Sequence, residues 1–336
     1  AFRREFRQAD IVYTRNLWVA WLALLFGQRV VLDHYRPWAE QIPPLQVWIY
    51  RIMSHRRFLV HICHSEYTRQ KYLRLGVPDS RLECVHNGFE PQRLGAPLDR
   101  DAAKRAIGVA PDRTTVVYTG RINGKKGLDL AVAAARRLPD IQFVLVGSYG
   151  DGPIEQAARG IANLRIVPWQ SQAALSTYIF AADMLLIPPT SQPLVQFGTT
   201  VLPLKVFLYL ASGRPIIAGD TPDLSEILKH GRNAYLCPPD DLEALIGAIR
   251  TLAADPALCN ALAAAALEDS RDLTWEARAK RIVNKVEPRL NGAHRGPWFW
   301  SWVGQSARWL AHLIRKRSWV LPPAAGTSKS EASSRQ

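Results

Sequence analysis

Short runs of apolar residues with period-two alternation recur along the chain. Most are followed by a longer stretch whose apolar positions return every three to four residues. The first pattern is that of a strand, the second that of a helix with one buried face. Residues 10–15 (Asp-Ile-Val-Tyr-Thr-Arg) alternate as a strand, Asn16 stands where a helix needs a side-chain cap, and 17–26 is the longest early apolar run. A membrane-spanning helix requires about 20 such residues. This shorter run, lying between two strands, predicts a core helix and not a signal or an anchor. Residues 28–35 (Gln-Arg-Val-Val-Leu-Asp-His-Tyr) complete a β-α-β unit. The sheet should therefore be parallel, with ligands gathered at the carboxyl ends of its strands. His34 stands at such an end, which suits either a substrate contact or a surface loop histidine. Next come a helix carrying Trp and Tyr at 43–57, a strand at 58–64, Ser65 as the cap of another helix, a strand at 82–86 and an Asn87-Gly88 turn. Residues 91–99, with Pro, Gly and Ala, make the best linker.

Beyond the linker the alternation is more regular. Strands are predicted at 115–119, 141–146, 164–167, 184–187, 215–218 and 234–236. Helices are predicted at 101–107, 128–138, 154–159, 172–181, 204–211, 224–228 and 242–254, with another from Trp275 to about Val286. Such regularity predicts a doubly wound parallel sheet.

The most informative stretch is 116–130, Val-Val-Tyr-Thr-Gly-Arg-Ile-Asn-Gly-Lys-Lys-Gly-Leu-Asp-Leu. It reads as a strand, a tight basic loop and the start of a helix. A strand that feeds a helix through a Gly-rich turn aims backbone N–H groups at whatever lies above the sheet, a place that attracts anions. Arg121, Lys125 and Lys126 surround it, so the expected ligand is a phosphate or diphosphate, the alternative being a solvated basic loop. A Walker A loop is excluded because Lys125 occupies the position of its second glycine, and a dinucleotide fingerprint because position 122 is not glycine. Gly147 to Gly152 (Gly-Ser-Tyr-Gly-Asp-Gly) is a second flexible loop at a strand end, able to approach a ligand closely. In 203–215, Pro203 suits the first turn of a helix and Gly213 its end. Lys205 then sits in the first turn, opposing the helix dipole. It either meets a bound anion or extends into water.

Length and charge narrow the classes. A chain of 336 residues with 48% hydrophobic content suits two α/β domains with real cores. Lys plus Arg number 43 against 29 acids, a formal net charge of +14, which suits an anionic partner. Nucleic acid is disfavoured, because no aromatic–basic sheet motif or helix-turn-helix pattern accompanies the charge. Cys63, Cys84, Cys237 and Cys259 are far apart with no C-x-x-C pair, as in reduced, buried thiols of a cytoplasmic protein. No metal is expected. His61 and Cys63 share one face of a strand and His64 the other, and Asp99-Arg-Asp101 opens a helix, where an Asp is ordinary capping. Residues 289–318 carry Arg and Lys, no acid, and Trp298, Trp300, Trp302 and Trp309. This composition fits an interfacial helix on an anionic membrane or a helix packed back on the first domain. Residues 324–336 are small and polar and are expected to be disordered. The chain begins at Ala1 on a basic stretch leading into a strand, as a fragment lacking its first strands would.

The phosphate loop and 203–218, with Leu145-Val-Gly-Ser, Ala181-Ala-Asp-Met-Leu-Leu-Ile-Pro, His64-Ser-Glu-Tyr, Asn87-Gly-Phe and Thr274-Trp-Glu, occur in an order that resembles the group-one (family four) retaining glycosyltransferases. The resemblance covers nearly all of residues 10–286. It implies a GT-B fold, two Rossmann-like domains facing each other across a cleft. These are 1–100 on the acceptor side, incomplete at its start, and 101–288 for the nucleotide sugar, with 289–336 as a basic tail. It implies transfer of a sugar from a nucleotide-diphosphate donor to a saccharide or lipid-linked acceptor, with retention. The chemistry would need no cofactor and no metal, and would belong to envelope, exopolysaccharide or glycolipid assembly on the cytoplasmic face of a membrane. Arg121 and Lys126 match the family's diphosphate-binding pair, and His34 matches the histidine that contacts the transferred sugar. Gly120, Gly147, Trp169, Thr200, Lys205 and Leu208 fall among donor-binding positions. At two of these the sequence departs from the family: Leu208 stands where a Glu usually binds the ribose, and Thr200 where a companion Glu precedes it. The departures leave a second reading, a weak or inactive sugar-nucleotide-binding or scaffold protein of the same fold.

Overall fold

A computed structural model of the chain describes residues 9–34, 45–197 and 202–291. Two parallel sheets carry the fold. The first has the spatial order β1 (Val12–Thr14), β2 (Val30–Asp33), β3 (Phe58–Cys63), β4 (Leu82–Cys84), and is wrapped by α1 (Leu17–Leu25), α2 (Gln46–Met53) and α3 (Glu66–Arg74). Strands β2 and β3 are buried along their whole length, because helices or loops cover both faces of a parallel sheet. Helix α4 (Arg100–Ala106) follows the linker. Its Lys104 is buried yet satisfied: Nζ lies 2.6 Å from Asp183 and donates to the carbonyls of Pro111 and Arg113.

The second sheet takes β5 (Thr115–Thr119), β6 (Gln142–Ser148), β7 (Leu164–Pro168), β8 (Met184–Leu186), β9 (Ile216–Gly219) and β10 (Tyr235–Cys237). Their spatial order is β10-β9-β8-β5-β6-β7. The chain runs outward from β5 to β7, then returns to β8 on the other side. The carboxyl ends of β5 and β8 thus flank a topological switch point, where a crevice opens. Alternation decides the layers: Val117, Val144 and Leu185 enter one apolar cluster, and Val116, Phe143 and Leu145 the other. Helices α5 (Leu128–Arg137), α6 (Pro153–Ala158), α7 (Gln172–Phe180), α8 (Gln192–Phe197), α9 (Lys205–Leu210), α10 (Leu242–Ala254) and α11 (Pro256–Ser270) cover this sheet.

The last described helix, α12 (Trp275–Asn291), crosses back to the first sheet. Its Ile282 and Val286 pack with Val31, Val60, Ile62 and Val85. Arg278 on α12 enters the carboxyl end of that sheet and donates to both oxygens of Asp33, at 3.0 and 2.8 Å, and to the carbonyl of His86. Tyr13 also donates to Asp33, and His64 Nε2 lies 2.5 Å from it. Burial alone would raise the Asp33 pKa, but the bonds from His64 and Arg278 overcome it and hold the carboxyl well below its usual range. Burial, reinforced by Asp33, pushes the Tyr13 phenol up to about 12.

Several expectations shift. Helix α1 buries Leu17, Ala20, Ala23 and Leu24 but leaves Trp18 and Leu22 about half exposed, and Phe26 beyond its end more so. Its apolar residues run around the helix, so one face packs and the other does not. Among the described residues no helix is long and apolar enough to cross a membrane. The predicted helix at 224–228 is a single 3₁₀ turn, Leu224–Glu226. Helix α11 escaped the pattern reading because its alanines mark no apolar stripe. Asp99 caps α4 through Ala102 N at 2.9 Å. His61 and His64 do diverge: His61 Nε2 meets the carbonyl of His34, and His64 meets Asp33. All four cysteines are free, Cys63 and Cys237 buried, Cys84 and Cys259 partly so. The Trp-rich part of the tail lies outside the described residues.

Replacing Arg278 by Met would leave Asp33 buried without its main countercharge. The expected loss is about 3–5 kcal/mol at neutral pH, read from chemical unfolding by tryptophan fluorescence; a loss under about 1 kcal/mol would show that the pair does not hold the fold. The pH dependence has a definite sign. The folded pKa of Asp33 is depressed, so its contribution is complete above the unfolded value of about 3.9 and is lost as pH falls toward the folded one. Asp33→Asn should therefore flatten the acid limb of the stability–pH curve.

A cationic cleft at the switch point

A cleft of about 700 Å³ opens at the carboxyl ends of β5 and β8, and Gly120, Arg121, Lys126, Lys205 and Leu208 are in its wall. The loop after β5 is shaped by glycine. Gly120 has φ 135°, and a Cβ there would fall 2.8 Å from Lys205 Nζ. Gly147 has φ 119°, and a Cβ there would overlap the carbonyl oxygen of Gly120 at 2.4 Å. The two loops therefore touch backbone to backbone, with Gly120 N donating to Val146 O and Ile122 N to Gly147 O. A 3₁₀ turn (Gly124–Lys126) follows, capped by Asn123 through Lys125 N, and Gly127, left-handed at φ 66°, starts α5.

Lys205 opens α9, a position where the helix dipole repels it. Its Nζ lies 3.5 Å from the centre of the Tyr118 ring, a cation–π contact that offsets part of this cost. Burial, and then the neighbouring Lys126 ammonium, push its pKa well below the usual lysine value. Arg121 and Lys126 are exposed, and the guanidinium of Arg121 lies 5.6 Å from the Tyr149 ring centre. The base of the cleft is fixed by Tyr209, whose hydroxyl accepts from Thr119 N at 2.7 Å and is pushed up to about 12 by burial. The wall also takes in Asp223, held up by burial despite a bond from Thr221, and Trp275 at the head of α12.

The cleft thus unites Gly120, Arg121, Lys126, Lys205 and Leu208. Gly147 stands behind Gly120 as its backbone support. Trp169 lies past β7, 58% exposed, and is not in this wall. His34 is buried at the end of β2, with Nδ1 2.7 Å from Arg15 O, and does not line the cleft either. Thr200 lies outside the described residues. Leu208 faces the cleft from the edge of an apolar cluster, and its own side chain offers a sugar hydroxyl no partner. Sequence reasoning missed Tyr118, Tyr209 and Asp223. Tyr118 belongs to the strand that leads into the phosphate loop, but nothing in linear order pairs it with Lys205.

Two family models match the chain: Glycosyltransferase Family 4 over residues 1–93 and Glycosyl transferases group 1 over 113–255. The D-inositol 3-phosphate glycosyltransferase of Rhodococcus opacus is 28% identical over 234 residues, covering 65% of this chain and 50% of that protein. Its counterpart in Mycolicibacterium paratuberculosis is 31% identical over 212 residues, covering 59% and 46%. The chain spans about half the length of these relatives. Among solved structures, sucrose-phosphate synthase of Thermosynechococcus elongatus superposes with a TM-score of 0.67 at 21% identity, covering 88% of this chain and 77% of that one. HepE of Anabaena, solved with UDP-glucose, superposes with a TM-score of 0.68 at 17% identity, covering 85% and 81%. With both models matched in order, and with two parallel-sheet domains, the chain belongs to the group 1, family 4 glycosyltransferases of GT-B fold.

Proposed function

We propose that this chain transfers a sugar from a nucleoside diphosphate donor, bound in the cationic cleft, to an acceptor hydroxyl with retention at the anomeric carbon. One observation carries the proposal. Arg121, Lys126 and Lys205 stand together on the cleft wall, and among the described residues none of them is paired with a carboxylate. Arg121 and Lys126 are left without such a countercharge, and burial, then the Lys126 charge, disfavours the protonated form of Lys205; a diphosphate would relieve this. As the glycosidic bond stretches, negative charge builds on the leaving diphosphate. Fixed cations aimed there stabilise the transition state more than the ground state, the role a divalent metal would otherwise take. His34, on the first sheet, would contact the transferred sugar. Gly147, Trp169 and Thr200 would complete the donor surround. HepE, solved with UDP-glucose, supports a uridine donor as the first to try. The acceptor would be a saccharide or lipid-linked hydroxyl of envelope polysaccharide or glycolipid assembly at the cytoplasmic membrane face, reached through the basic segment 289–318. The relatives' name makes a phosphorylated polyol a further candidate in any acceptor screen.

Leu208 favours a second reading, a donor-binding protein of low or no turnover. An apolar side chain at the ribose position forgoes a charged hydrogen bond of about 1.5–3 kcal/mol, roughly 10- to 150-fold in affinity.

Calorimetric titration with UDP, GDP and ADP separates these readings when combined with a transfer assay. One nucleotide should bind, and Arg121→Ala with Lys126→Ala should weaken it by at least about 100-fold, since the pair removes two charge-assisted hydrogen bonds to the diphosphate. No binding by any of the three would overturn the site assignment. Binding without transfer to any acceptor would leave the second reading standing. Leu208→Glu should tighten the same nucleotide about 10-fold.

Lys205 yields a separate test. Its depressed pKa means that, between that value and the ordinary one of about 10.4, the free protein holds a neutral amine that an arriving diphosphate will protonate. In a series of titrations at rising pH up to about 10.4, binding should take up a proton once the pH exceeds the depressed pKa, so the calorimetric heat there should vary with the ionisation enthalpy of the buffer. Lys205→Met should abolish that variation. A buffer-independent heat in the parent protein would put Lys205 away from the anion.

A further inference from the structure

A cluster outside the cation cleft has no part in this chemistry. Strand β4 ends at Cys84, and His86 follows two residues on in extended chain, so both side chains leave the same face. Cys84 Sγ lies 3.8 Å from His86 Nε2. The same Nε2 lies 2.8 Å from Glu226 Oε2. One ligand atom from each of the three falls within 4.8 Å of the others. Glu226 arrives from the second domain, on the 3₁₀ turn after β9. Its carboxylate is already oriented, accepting from Glu66 N at 2.7 Å and Tyr67 N at 2.8 Å at the start of α3.

We propose that Cys84, His86 and Glu226 form a binding site for a borderline-soft divalent ion, Zn²⁺ above all, that joins the two domains. The donor set decides the metal. A thiolate, an imidazole and a carboxylate suit zinc, whereas magnesium and calcium take all-oxygen sites. Three protein ligands leave the fourth tetrahedral position to water. The two backbone N–H groups on Glu226 act as outer-sphere bonds do in metal sites, fixing the ligand before the ion arrives. The His86 and Glu226 side chains are 23% and 13% exposed, which leaves an entry path. When Nε2 binds the ion, His86 carries its ring hydrogen on Nδ1, and the Cys84 proton is released to solvent. Because a thiol and an imidazole nitrogen bind the ion only after losing a proton, zinc should bind more tightly as pH rises.

The test uses the full chain, purified with chelator and then titrated with Co²⁺ and Zn²⁺. One equivalent of Co²⁺ should give a thiolate-to-cobalt charge-transfer band, and Zn²⁺ should bleach it. Cys84→Ser should remove the band, and Glu226→Gln should weaken binding by at least about 10- to 100-fold, the range known for outer-sphere losses alone. Cys259→Ser, a thiol bonded to Leu252 O elsewhere, should change nothing. Zinc should also raise the thermal midpoint of the parent chain by mass action, a shift that Cys84→Ser abolishes. If a variant fails to fold, the parent's band and midpoint still decide. No cobalt band and no shift in the parent, or a band that survives Cys84→Ser, would reduce the cluster to a hydrogen-bonded domain contact.

Discussion

The arrangement rests on one buried guanidinium. Arg278 sits far along the chain from Asp33, yet it meets both oxygens of that carboxylate and the carbonyl of His86. An ion pair so deep has little net worth against an apolar replacement of the same shape, because both charges lose their water. What it supplies is uniqueness of position. Once Asp33 is charged and buried, α12 has one rotation and one depth at which the charge is answered. The apolar contacts of Ile282 and Val286 then follow on the neighbouring turns of the same helix. The chain that began on the first sheet and built the second is thereby returned to the first. Where it returns, Phe89 and Thr274 run side by side, and Phe89 and Trp275 join the cleft wall.

The cleft is asymmetric in charge, and the asymmetry follows from its construction. Its cationic wall is made by the loop after β5 and the start of α9, places where backbone N–H groups already point outward. Adding Arg121, Lys126 and Lys205 there compounds one sign of field. Proteins retain such unneutralised clusters at a cost, and the lowered pKa of Lys205, beside the Tyr118 ring, is how this one limits it. The rest of the wall mixes apolar residues such as Leu208 with Arg93, Gln172, Thr190, Thr221 and Asp223. A diphosphate would be held at one end of the cleft, while what is attached to it would lie against a wall that includes Thr221 and Asp223. Leu208 makes the anion end the larger source of affinity.

The alternation of strands and helices and the glycine-shaped loop after β5 were legible because they depend on local rules. Period-two runs, helical spacing and the glycine positions of 116–130 are properties of neighbouring residues. Asp99 as a cap and the divergence of His61 from His64 were legible for the same reason. Helix α11 was not, since alanine-rich sequence carries no stripe. The exposed face of α1 was not either, since an apolar run does not say how many faces find a partner. The Arg278–Asp33 pair and the Glu226 contacts join residues separated by 245 and 160 positions, and no linear pattern encodes such a meeting. His34 shows the limit from the other side: its position at a strand end was right, but its distance from the cleft wall depends on how two domains lie against each other.

That relation between domains is therefore part of the chemistry. The cation cluster is built wholly from the second domain and His34 wholly from the first, so any reaction using both requires them held at a set separation. Among the described residues several contacts do this, the Arg289–Glu83 ion pair and the apolar packing of α12 included, and three of them differ in kind. The Phe89–Leu273 and Trp275–Phe89 backbone bonds tie the linker to the start of α12 and have no titratable member. Arg278 is anchored by a carboxylate whose depressed pKa keeps it charged throughout the neutral range. Glu226 differs, because its partners are the start of α3 and a partly exposed histidine. Breaking it costs two backbone hydrogen bonds that water can replace. The side chains of this junction are more exposed to solvent than those of the Arg278–Asp33 pair.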